Sequence, residues 1–123
     1  MFDWSDKTLL IVDDTEINRV LIKYMLEETN INLYEAEDSA SFFNLIYTHN
    51  FDVILMDINL GERLNGIDLI KYLQNNKFNV SVIIQSANDY DLDDLEISGY
   101  LRKPFKSKTL FEYINKVFIK KTK

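Results

Sequence analysis

The sequence contains no cysteine and only one histidine, His49. Without cysteine, the chain has no disulfide, no thiolate nucleophile and no sulfur-ligated zinc or iron–sulfur site, and a single histidine cannot form a multi-histidine centre. Any bound metal must therefore be a hard cation with oxygen ligands, of which Mg²⁺ is the usual example.

Basic residues are also scarce. The 14 lysines and arginines stand against 20 aspartates and glutamates, and the net charge is −6. A surface that binds DNA or RNA has to neutralise phosphates, so direct nucleic-acid binding is not expected. The longest apolar runs fall far short of the roughly 20 residues that a membrane helix needs, and the first residues lack the pattern of a signal peptide. We therefore expect no membrane insertion and a cytoplasmic location.

The composition predicts one folded domain. Hydrophobic residues make up 46% of the 123 residues, which is enough to bury a core, and single domains commonly contain about 100–150 residues. Neither an internal repeat nor a shift in composition marks a linker. We divide the chain into a short leader at 1–6, a domain at 7–120 and a tail at 121–123.

Strand-like and helix-like segments alternate along the chain, as in α/β domains with a parallel sheet. Apolar runs predict central strands covered on both faces, and two shorter or more polar segments predict edge strands. We predict a doubly wound, flavodoxin-like fold with five parallel strands in the order 2-1-3-4-5 and helices on both faces. The predicted strands are Leu9–Val12, Asn32–Ala36, Val53–Met56, Val80–Ile84 and Tyr100–Arg102.

Apolar residues at helical spacing predict helices between these strands. The second helix covers Asp38–Thr48, and the same spacing returns at 66–73 and 110–118. The short acidic segment Asp89–Ser98 predicts only a stunted fourth helix between the last two strands. The first helix is expected to be capped by Thr15 or Asp14, and its apolar stripe consists of Ile17, Val20, Leu21, Tyr24 and Met25.

Functional side chains are expected where the parallel strands end, because ligands of doubly wound sheets bind at that edge. The residues at these ends are Asp13 and Asp14, Asp57, Ser86 and Lys103. Two carboxylates about 4 Å apart repel each other by about 4 kcal/mol near a protein surface, so a gathering of three favours a bound cation. Mg²⁺ suits such ligands, with Mn²⁺ as a substitute.

A metal-bound aspartate that faces a lysine and a hydroxyl is chemically a phosphoryl acceptor. Taken one at a time, these residues have simpler explanations. The Asp13–Asp14 pair is consistent with a helix cap, Asp57 with a turn, and Ser86 with a hydroxyl bonded to its own loop. None of these explains why acidic, hydroxyl and basic residues coincide at four strand ends.

The motifs at the strand ends resemble those of the receiver domain of bacterial two-component response regulators. They are Leu9–Asp14 (LLIVDD), Val53–Asp57 (VILMD), Ser86-Ala87 and Gly99–Phe105 (GYLRKPF). They occur in the order found in that family, and the resemblance covers about residues 7–120. The domain at 7–120 is therefore identified, by resemblance, as a receiver.

The resemblance implies a role for each matching residue. Asp57 matches the aspartate that is phosphorylated. Asp13 and Asp14 match the acidic pair that holds Mg²⁺, and the backbone carbonyl of Asn59 matches a further ligand. Lys103 matches the lysine that contacts the acyl phosphate.

A conformational switch is implied in the same way. Ser86 matches the hydroxyl that turns toward the phosphoryl group, Tyr100 matches the aromatic residue that then moves inward, and the Lys103–Pro104 bond is usually cis in that family. Only 17 positions separate Ser86 from Lys103, several fewer than is typical, so the missing length must come from the fourth helix. The usual dimer surface cannot be assumed, and no oligomeric state follows.

The function implied is that of a phosphorelay receiver. A phosphohistidine of a sensor kinase or a histidine phosphotransfer protein gives its phosphoryl group to Asp57, and a partner protein reads the resulting change. The chain is then a stand-alone receiver or the receiver of a hybrid sensor kinase, and is no enzyme beyond its own phosphorylation and dephosphorylation. The alternatives are a Mg²⁺-dependent phosphohydrolase with an aspartyl-phosphate intermediate, although Asn59 replaces its second aspartate, and an unphosphorylated pseudo-receiver that binds partners.

Overall fold

Five strands form one sheet in the computed structural model, which describes residues 2–121. They are β1 (Thr8–Val12), β2 (Asn32–Ala36), β3 (Val53–Asp57), β4 (Ser81–Ser86) and β5 (Gly99–Arg102). Their order is β2-β1-β3-β4-β5 and every neighbouring pair is parallel. The predicted sheet is thus confirmed, and its three inner strands are almost wholly buried because both of their faces are covered.

Helices cover both faces of the sheet. They are α1 (Glu16–Leu26), α2 (Ser39–Thr48), α3 (Gly66–Asn75) and α4 (Ser107–Lys121), and a 3₁₀ turn at Glu27–Thr29 follows α1. Ile22 of α1 and Ile114 of α4 belong to the core cluster on one face, and Phe42 of α2 and Leu69 of α3 belong to the cluster on the other. No helix in the described range is both long and apolar enough to cross a bilayer.

Element boundaries differ slightly from the predicted ones. The fourth strand begins at Ser81 rather than Val80 and runs on to Ser86. Residues of the predicted leader pack on the domain, since Trp4 is buried and its ring centroid lies 5.3 Å from that of Phe118. The tail predicted at 121–123 lies outside the described residues, apart from Lys121, where α4 ends.

The first helix is present, but the prediction of its buried face was wrong. The residues that α1 buries are Arg19, Ile22 and Leu26. The Arg19 guanidinium turns inward because its Nη1 donates to the Asp13 carbonyl at 2.7 Å and its Nε donates to Glu35 at 3.0 Å. Four residues of the predicted stripe are exposed instead: Ile17 (61%), Val20 (43%), Leu21 (50%) and Tyr24 (77%).

The stunted helix predicted at Asp89–Ser98 is absent, and these described residues form a loop with one turn. Only 12 residues join β4 to β5, and the acidic side chains of this segment repel one another at helical spacing. Leu92, Leu95 and Ile97 still pack against the core cluster that α2 and α3 cover. The missing length predicted for the fourth helix is therefore the whole helix.

Candidate functional site

Three carboxylates and one ammonium group meet at the carboxyl edge of the sheet. Carboxylate oxygens of Asp13, Asp14 and Asp57 all lie within 4.8 Å of one another. Lys103 Nζ lies 3.0 Å from Asp13 Oδ2 and 3.3 Å from Asp57 Oδ2. A cavity of about 340 Å³ opens here, and Asp14, Asp57, Ser86 and Lys103 are among its lining residues.

The end of β1 places the two members of the acidic pair at different depths. Asp13 is fully buried, and its Oδ1 accepts a hydrogen bond from the Thr15 backbone N–H at 2.9 Å. Asp14 is exposed, and its Oδ1 accepts from the Thr15 hydroxyl at 3.3 Å. Thr15 occupies the cap position of α1, as expected, but its side chain makes no cap bond. Both side chains of the acidic pair lie within reach of Asp57, and Asp14 lines the cavity.

Two glycines allow the loop after β3 to approach the site closely. A Cβ atom added to Gly66 would lie 2.2 Å from the Asp57 carbonyl oxygen, so only glycine lets α3 begin this close to β3. Gly61 has a φ of +67°, and a Cβ atom there would lie 2.9 Å from Asp14 Oδ2. Glycine adopts this left-handed conformation without strain, which explains its use in the loop.

The Asp57 carboxyl holds its proton more strongly than an ordinary aspartate. Burial raises the pKa of Asp57 from 3.8 to about 6, and the neighbouring Asp13 adds to the rise, while Lys103 and the Asn59 backbone N–H oppose it. The Asn59 N–H donates to Asp57 Oδ1 at 3.3 Å. A cation beside these carboxylates would offset both the lost hydration and the like charge.

Ser86 and Tyr100, the predicted switch residues, both bond to the start of the loop after β4. Ser86 Oγ accepts a hydrogen bond from the Asn88 backbone N–H at 3.1 Å, and the Tyr100 hydroxyl donates to the Asn88 carbonyl. Arg102 Nε donates to the Ala87 carbonyl at 3.0 Å. Ser86 lines the acidic cavity, whereas Tyr100 lies outside its lining and is half-buried. One short backbone segment thus connects the hydroxyl to the aromatic ring.

The structure places the remaining predicted residue, Asn59, at the cavity as well. Its side-chain Oδ1 accepts from the Gly61 backbone N–H at 3.2 Å, so this side chain holds the loop. The Lys103–Pro104 bond is cis, as the resemblance implied. The sequence did not identify Arg19 as a site residue, although its Nη1 donates to the Asp13 backbone carbonyl. The available signal was an arginine among apolar residues on one helix.

The donor set fits a hard divalent cation. All three side chains offer carboxylate oxygens, and the cavity beside them leaves room for water ligands, which Mg²⁺ retains in proteins. One carboxylate faces both an ammonium group and a hydroxyl-lined cavity, which is the arrangement that an oxygen nucleophile for phosphoryl groups requires.

Comparisons with known proteins agree with this geometry. The family model for the response regulator receiver domain matches residues 9–115. The transcriptional regulatory protein LytR of Staphylococcus aureus is 31% identical over 119 residues, which are 93% of this chain and 48% of LytR. The chain spans about half the length of the curated relatives it matches.

Solved structures show the same fold. The receiver domain of the Francisella response regulator 1452 is 34% identical, with a TM-score of 0.84, and the match covers 95% of this chain and 99% of that one. TrrA of Thermotoga maritima, a response regulator crystallised with Mg²⁺ and BeF, is 24% identical with a TM-score of 0.80 and coverages of 90% and 98%.

Proposed function

This chain belongs to the response regulator receiver domain family, and from that premise we propose that Asp57 accepts a phosphoryl group from a phosphohistidine. The observation that carries the proposal is the set of three carboxylates within 4.8 Å of one another, with Lys103 Nζ 3.3 Å from Asp57. In the transfer, the P–N bond of the donor breaks as a P–O bond to an Asp57 oxygen forms. The donor histidine keeps the electron pair of the broken bond and takes up a proton from solvent.

Receiver domains bind Mg²⁺ at an acidic pocket, and Asp13, Asp14 and Asp57 would hold it here, with the Asn59 carbonyl as a further oxygen donor. Mn²⁺ would serve as a substitute. When bound, the cation supplies positive charge that offsets the charge of the phosphoryl group. Of these three residues, Asp13 and Asp57 are buried and Asp14 is exposed.

Lys103 supplies the second positive charge. Its ammonium contacts both Asp13 and Asp57, and the Lys103 side chain is only 18% exposed, so packing already directs it at the acceptor. Once Asp57 carries a phosphoryl group, Lys103 keeps its bond to Asp13 and exchanges its contact with the Asp57 oxygen for one with a phosphoryl oxygen. Charge-assisted bonds of this kind are stronger than neutral ones.

The conformational signal would start at Ser86. Its hydroxyl turns toward the phosphoryl group and gives up the bond that it accepts from the Asn88 N–H. Asn88 is also held by Tyr100 through its carbonyl, so the loss of one contact loosens the other. The face formed by the loop after β4, by β5 and by α4 then changes shape for a downstream protein to read.

The phosphodonor protein would dock on the outer face of α1. This helix begins two residues after Asp14 and therefore borders the cavity mouth. Ile17, Val20, Leu21 and Tyr24 form an apolar row that is 43–77% exposed, although the fold needs no apolar residue there. An exposed row at helical spacing suits an apolar helix face of a partner, and it would bring the partner's phosphohistidine to Asp57.

The two alternative functions are not favoured. A phosphohydrolase of this chemistry uses a second aspartate two residues after its nucleophile, where this chain has Asn59. A pseudo-receiver would not need the acceptor, the acidic pair and the lysine together. We expect no catalysis beyond the receiver's own phosphorylation and dephosphorylation.

The type of phosphodonor, the protein context and the location of the receiver are proposed from its family membership. The phosphodonor would be a sensor kinase or a histidine phosphotransfer protein, and the receiver would act either alone or as a part of a hybrid kinase. Because such donors are phosphorylated in the cytoplasm, we propose that location. The domain limits proposed for the receiver remain 7–120.

Phosphorylation by small donors tests the function directly. The protein is incubated with Mg²⁺ and phosphoramidate, whose P–N bond represents phosphohistidine, and its intact mass is measured. We expect one phosphoryl group on the wild type and none on Asp57→Asn. A matched control, Asp93→Asn, removes an exposed carboxylate outside the cavity and should leave the labelling unchanged. Labelling that survives Asp57→Asn would overturn the proposal, and steady release of p-nitrophenol from p-nitrophenyl phosphate would indicate the hydrolase.

A further inference from the structure

A second cavity, of about 330 Å³, lies between α1 and the segment that follows β5. Leu21, Ile22 and Met25 line it on the α1 side, and Pro104 and Phe105 line it on the other. Small-molecule sites in proteins are typically cavities of at least this size with a largely apolar lining. Unlike the acidic cavity, this one offers no carboxylate among its lining residues.

Gln85 of β4 provides an unusual polar group in this cavity. Its side chain is fully buried, and within residues 2–121 nothing bonds to either its Nε2 or its Oε1 atom. Gln85 is nevertheless one of the residues that line the cavity. Buried amides in folded proteins are nearly always hydrogen-bonded, because an unpaired one has lost its hydration without replacement. An apolar residue would pack better here if packing were the only requirement.

We propose that this cavity binds a small apolar molecule that carries one carboxamide. The Gln85 amide offers an N–H donor and a carbonyl acceptor side by side. A ligand that pairs with both must therefore carry an acceptor and a donor at the same spacing. A primary amide or a lactam does both. A carboxylate or a ketone only accepts, and would leave Oε1 of Gln85 unpaired.

The remainder of such a ligand would be held by apolar contact. Leu21 and Met25 line the cavity on the α1 side and Phe105 lines it on the other, so a flat ring would lie between them. Burial of the ring in this cleft removes apolar surface of both ligand and protein from water. Orientation would then come from the two hydrogen bonds to Gln85.

The site adjoins the acidic cavity without depending on its chemistry. Asn18, Ala87 and Lys103 line both cavities, and Gln85 is the register partner of Asp57 in the sheet. A bound ligand would therefore lie beside the phosphoacceptor and on the side where α1 would meet its partner. Binding requires neither Mg²⁺ nor phosphorylation, so its test is independent of the proposed function.

Benzamide is the probe for the test, and acetophenone is its matched control, because the two differ in the presence of the amide N–H₂ group. Each is titrated into isotope-labelled protein while NMR spectra are recorded. We expect benzamide to shift the methyl signals of Leu21 and Met25 and the side-chain N–H₂ signals of Gln85. Acetophenone should bind at least about tenfold more weakly, since it leaves a buried acceptor unpaired.

A pair of variants isolates the Gln85 amide. Gln74 and Gln85 are the two glutamines of the sequence, which makes their side-chain signals easy to assign. Gln85→Met should weaken benzamide binding at least about tenfold without lowering the unfolding midpoint, since no hydrogen bond is lost. Gln74→Met alters an amide outside the cavity and should leave the affinity unchanged.

Three results would overturn the proposal: shifts confined to other surfaces, equal affinity for benzamide and acetophenone, or unchanged benzamide affinity in Gln85→Met. If Gln85→Met does not fold, the comparison of the two probes on the wild type still decides the question.

Discussion

The carboxyl ends of β3 and β4 lie side by side, but the connections that follow them are built differently. Eight residues separate β3 from α3, and the side chains of Asn65 and Asp68 cap the start of α3. Asn65 Oδ1 accepts from the Asp68 N–H at 3.0 Å, and Asp68 Oδ2 accepts from the Asn65 N–H at 2.9 Å. The connection after β4 forms no helix among the described residues, although it is 12 residues long.

Contacts from neighbouring elements hold the connection after β4. Gln74 of α3 accepts a hydrogen bond from the Glu96 N–H at 2.6 Å, and Tyr100 and Arg102 of β5 bond its first residues. The connection after β3 is thus stabilised by the hydrogen bonds of the adjoining α3 cap, whereas the connection after β4 is stabilised by bonds from α3 and β5. A segment held from outside rearranges when one contact changes, and this suits the segment next to Ser86 for switching.

The largest expected effect comes from Gly66→Ala, which disturbs the close contact between the start of α3 and the end of β3. We expect it to lower the free energy of unfolding by about 4 kcal/mol or more, as steric clashes with buried backbone do. The added Cβ would lie 2.2 Å from the Asp57 carbonyl oxygen, which cannot move without shifting β3. Urea unfolding measures the loss.

Gly99→Ala provides the matched comparison near the other connection. Its Cβ would lie 2.6 Å from the Tyr113 ring, a side chain that can rotate away. The expected loss is about 1–2 kcal/mol. Equal losses in the two variants would show that the Tyr113 ring cannot move aside any more easily than the Asp57 backbone.

A change of pH should alter the stability through Asp57 at the end of β3 and should not alter it through Ser86 at the end of β4. Because the folded-state pKa of Asp57 is raised to about 6, the folded protein binds more protons than the unfolded chain between about pH 4 and pH 6, and stability falls as pH rises through this window. Asp57→Asn removes the titrating carboxyl, so the stability of the variant should not fall in this window. Relative to the wild type without divalent cations, the variant should gain on the order of 2 kcal/mol between about pH 4 and pH 7.5.

Urea unfolding in EDTA across this pH range checks the prediction. Ser86→Ala is the control, since β4 ends in a group that does not titrate in this range, and its difference from the wild type should stay constant. A pH-independent difference for Asp57→Asn would show that this carboxyl has an ordinary pKa in the folded protein.

Removal of the α3 cap should produce a smaller loss. Asn65→Ala leaves the Asp68 backbone N–H without its side-chain partner, and we expect about 1 kcal/mol less stability, as for other N-cap residues. Asn65→Asp keeps an acceptor at the cap and should restore most of it. Thermal unfolding of the three proteins gives the result, and equal midpoints for Asn65→Ala and the wild type would argue against local capping of this connection.

The smallest effect on global stability is expected from Tyr100→Phe, which removes only the hydroxyl that bonds the Asn88 carbonyl. We expect a loss of about 0.5–1 kcal/mol, confined to the loop after β4. Hydrogen exchange should accelerate for amides at 87–98 and remain unchanged in α3. Faster exchange spread over both connections would mean that the loop is not a separate unit.

The sheet could be predicted because its inner strands are apolar along their whole length. A run such as Val53–Met56 is stable only when both of its faces are covered, which implies a parallel sheet with helices on each side. The meeting of Asp13, Asp57 and Lys103 then followed from topology alone, since parallel strands end at one edge. Periodicity also placed α1 correctly in the chain.

Other features depend on contacts that only the folded chain makes. Arg19 turns the inner face of α1 toward Asp13 and toward Glu35, which are 6 and 16 positions away. The short spacing after Ser86 predicted a reduced helix, but the sequence did not show that bonds from β5 and α3 would hold this segment as a loop. The raised pKa of Asp57 and the isolation of the Gln85 amide likewise result from burial, which residue order does not specify.

Trp4, the single tryptophan of the sequence, has a practical consequence. The residue is only 6% exposed, and its ring stacks on Phe2 with ring centroids 4.8 Å apart. It precedes β1 and so lies at the amino edge of the sheet, opposite the acidic cavity. The intrinsic fluorescence of the protein should therefore shift to the red when the domain unfolds and stay constant when phosphate chemistry takes place, so that one emission spectrum separates loss of fold from loss of signalling.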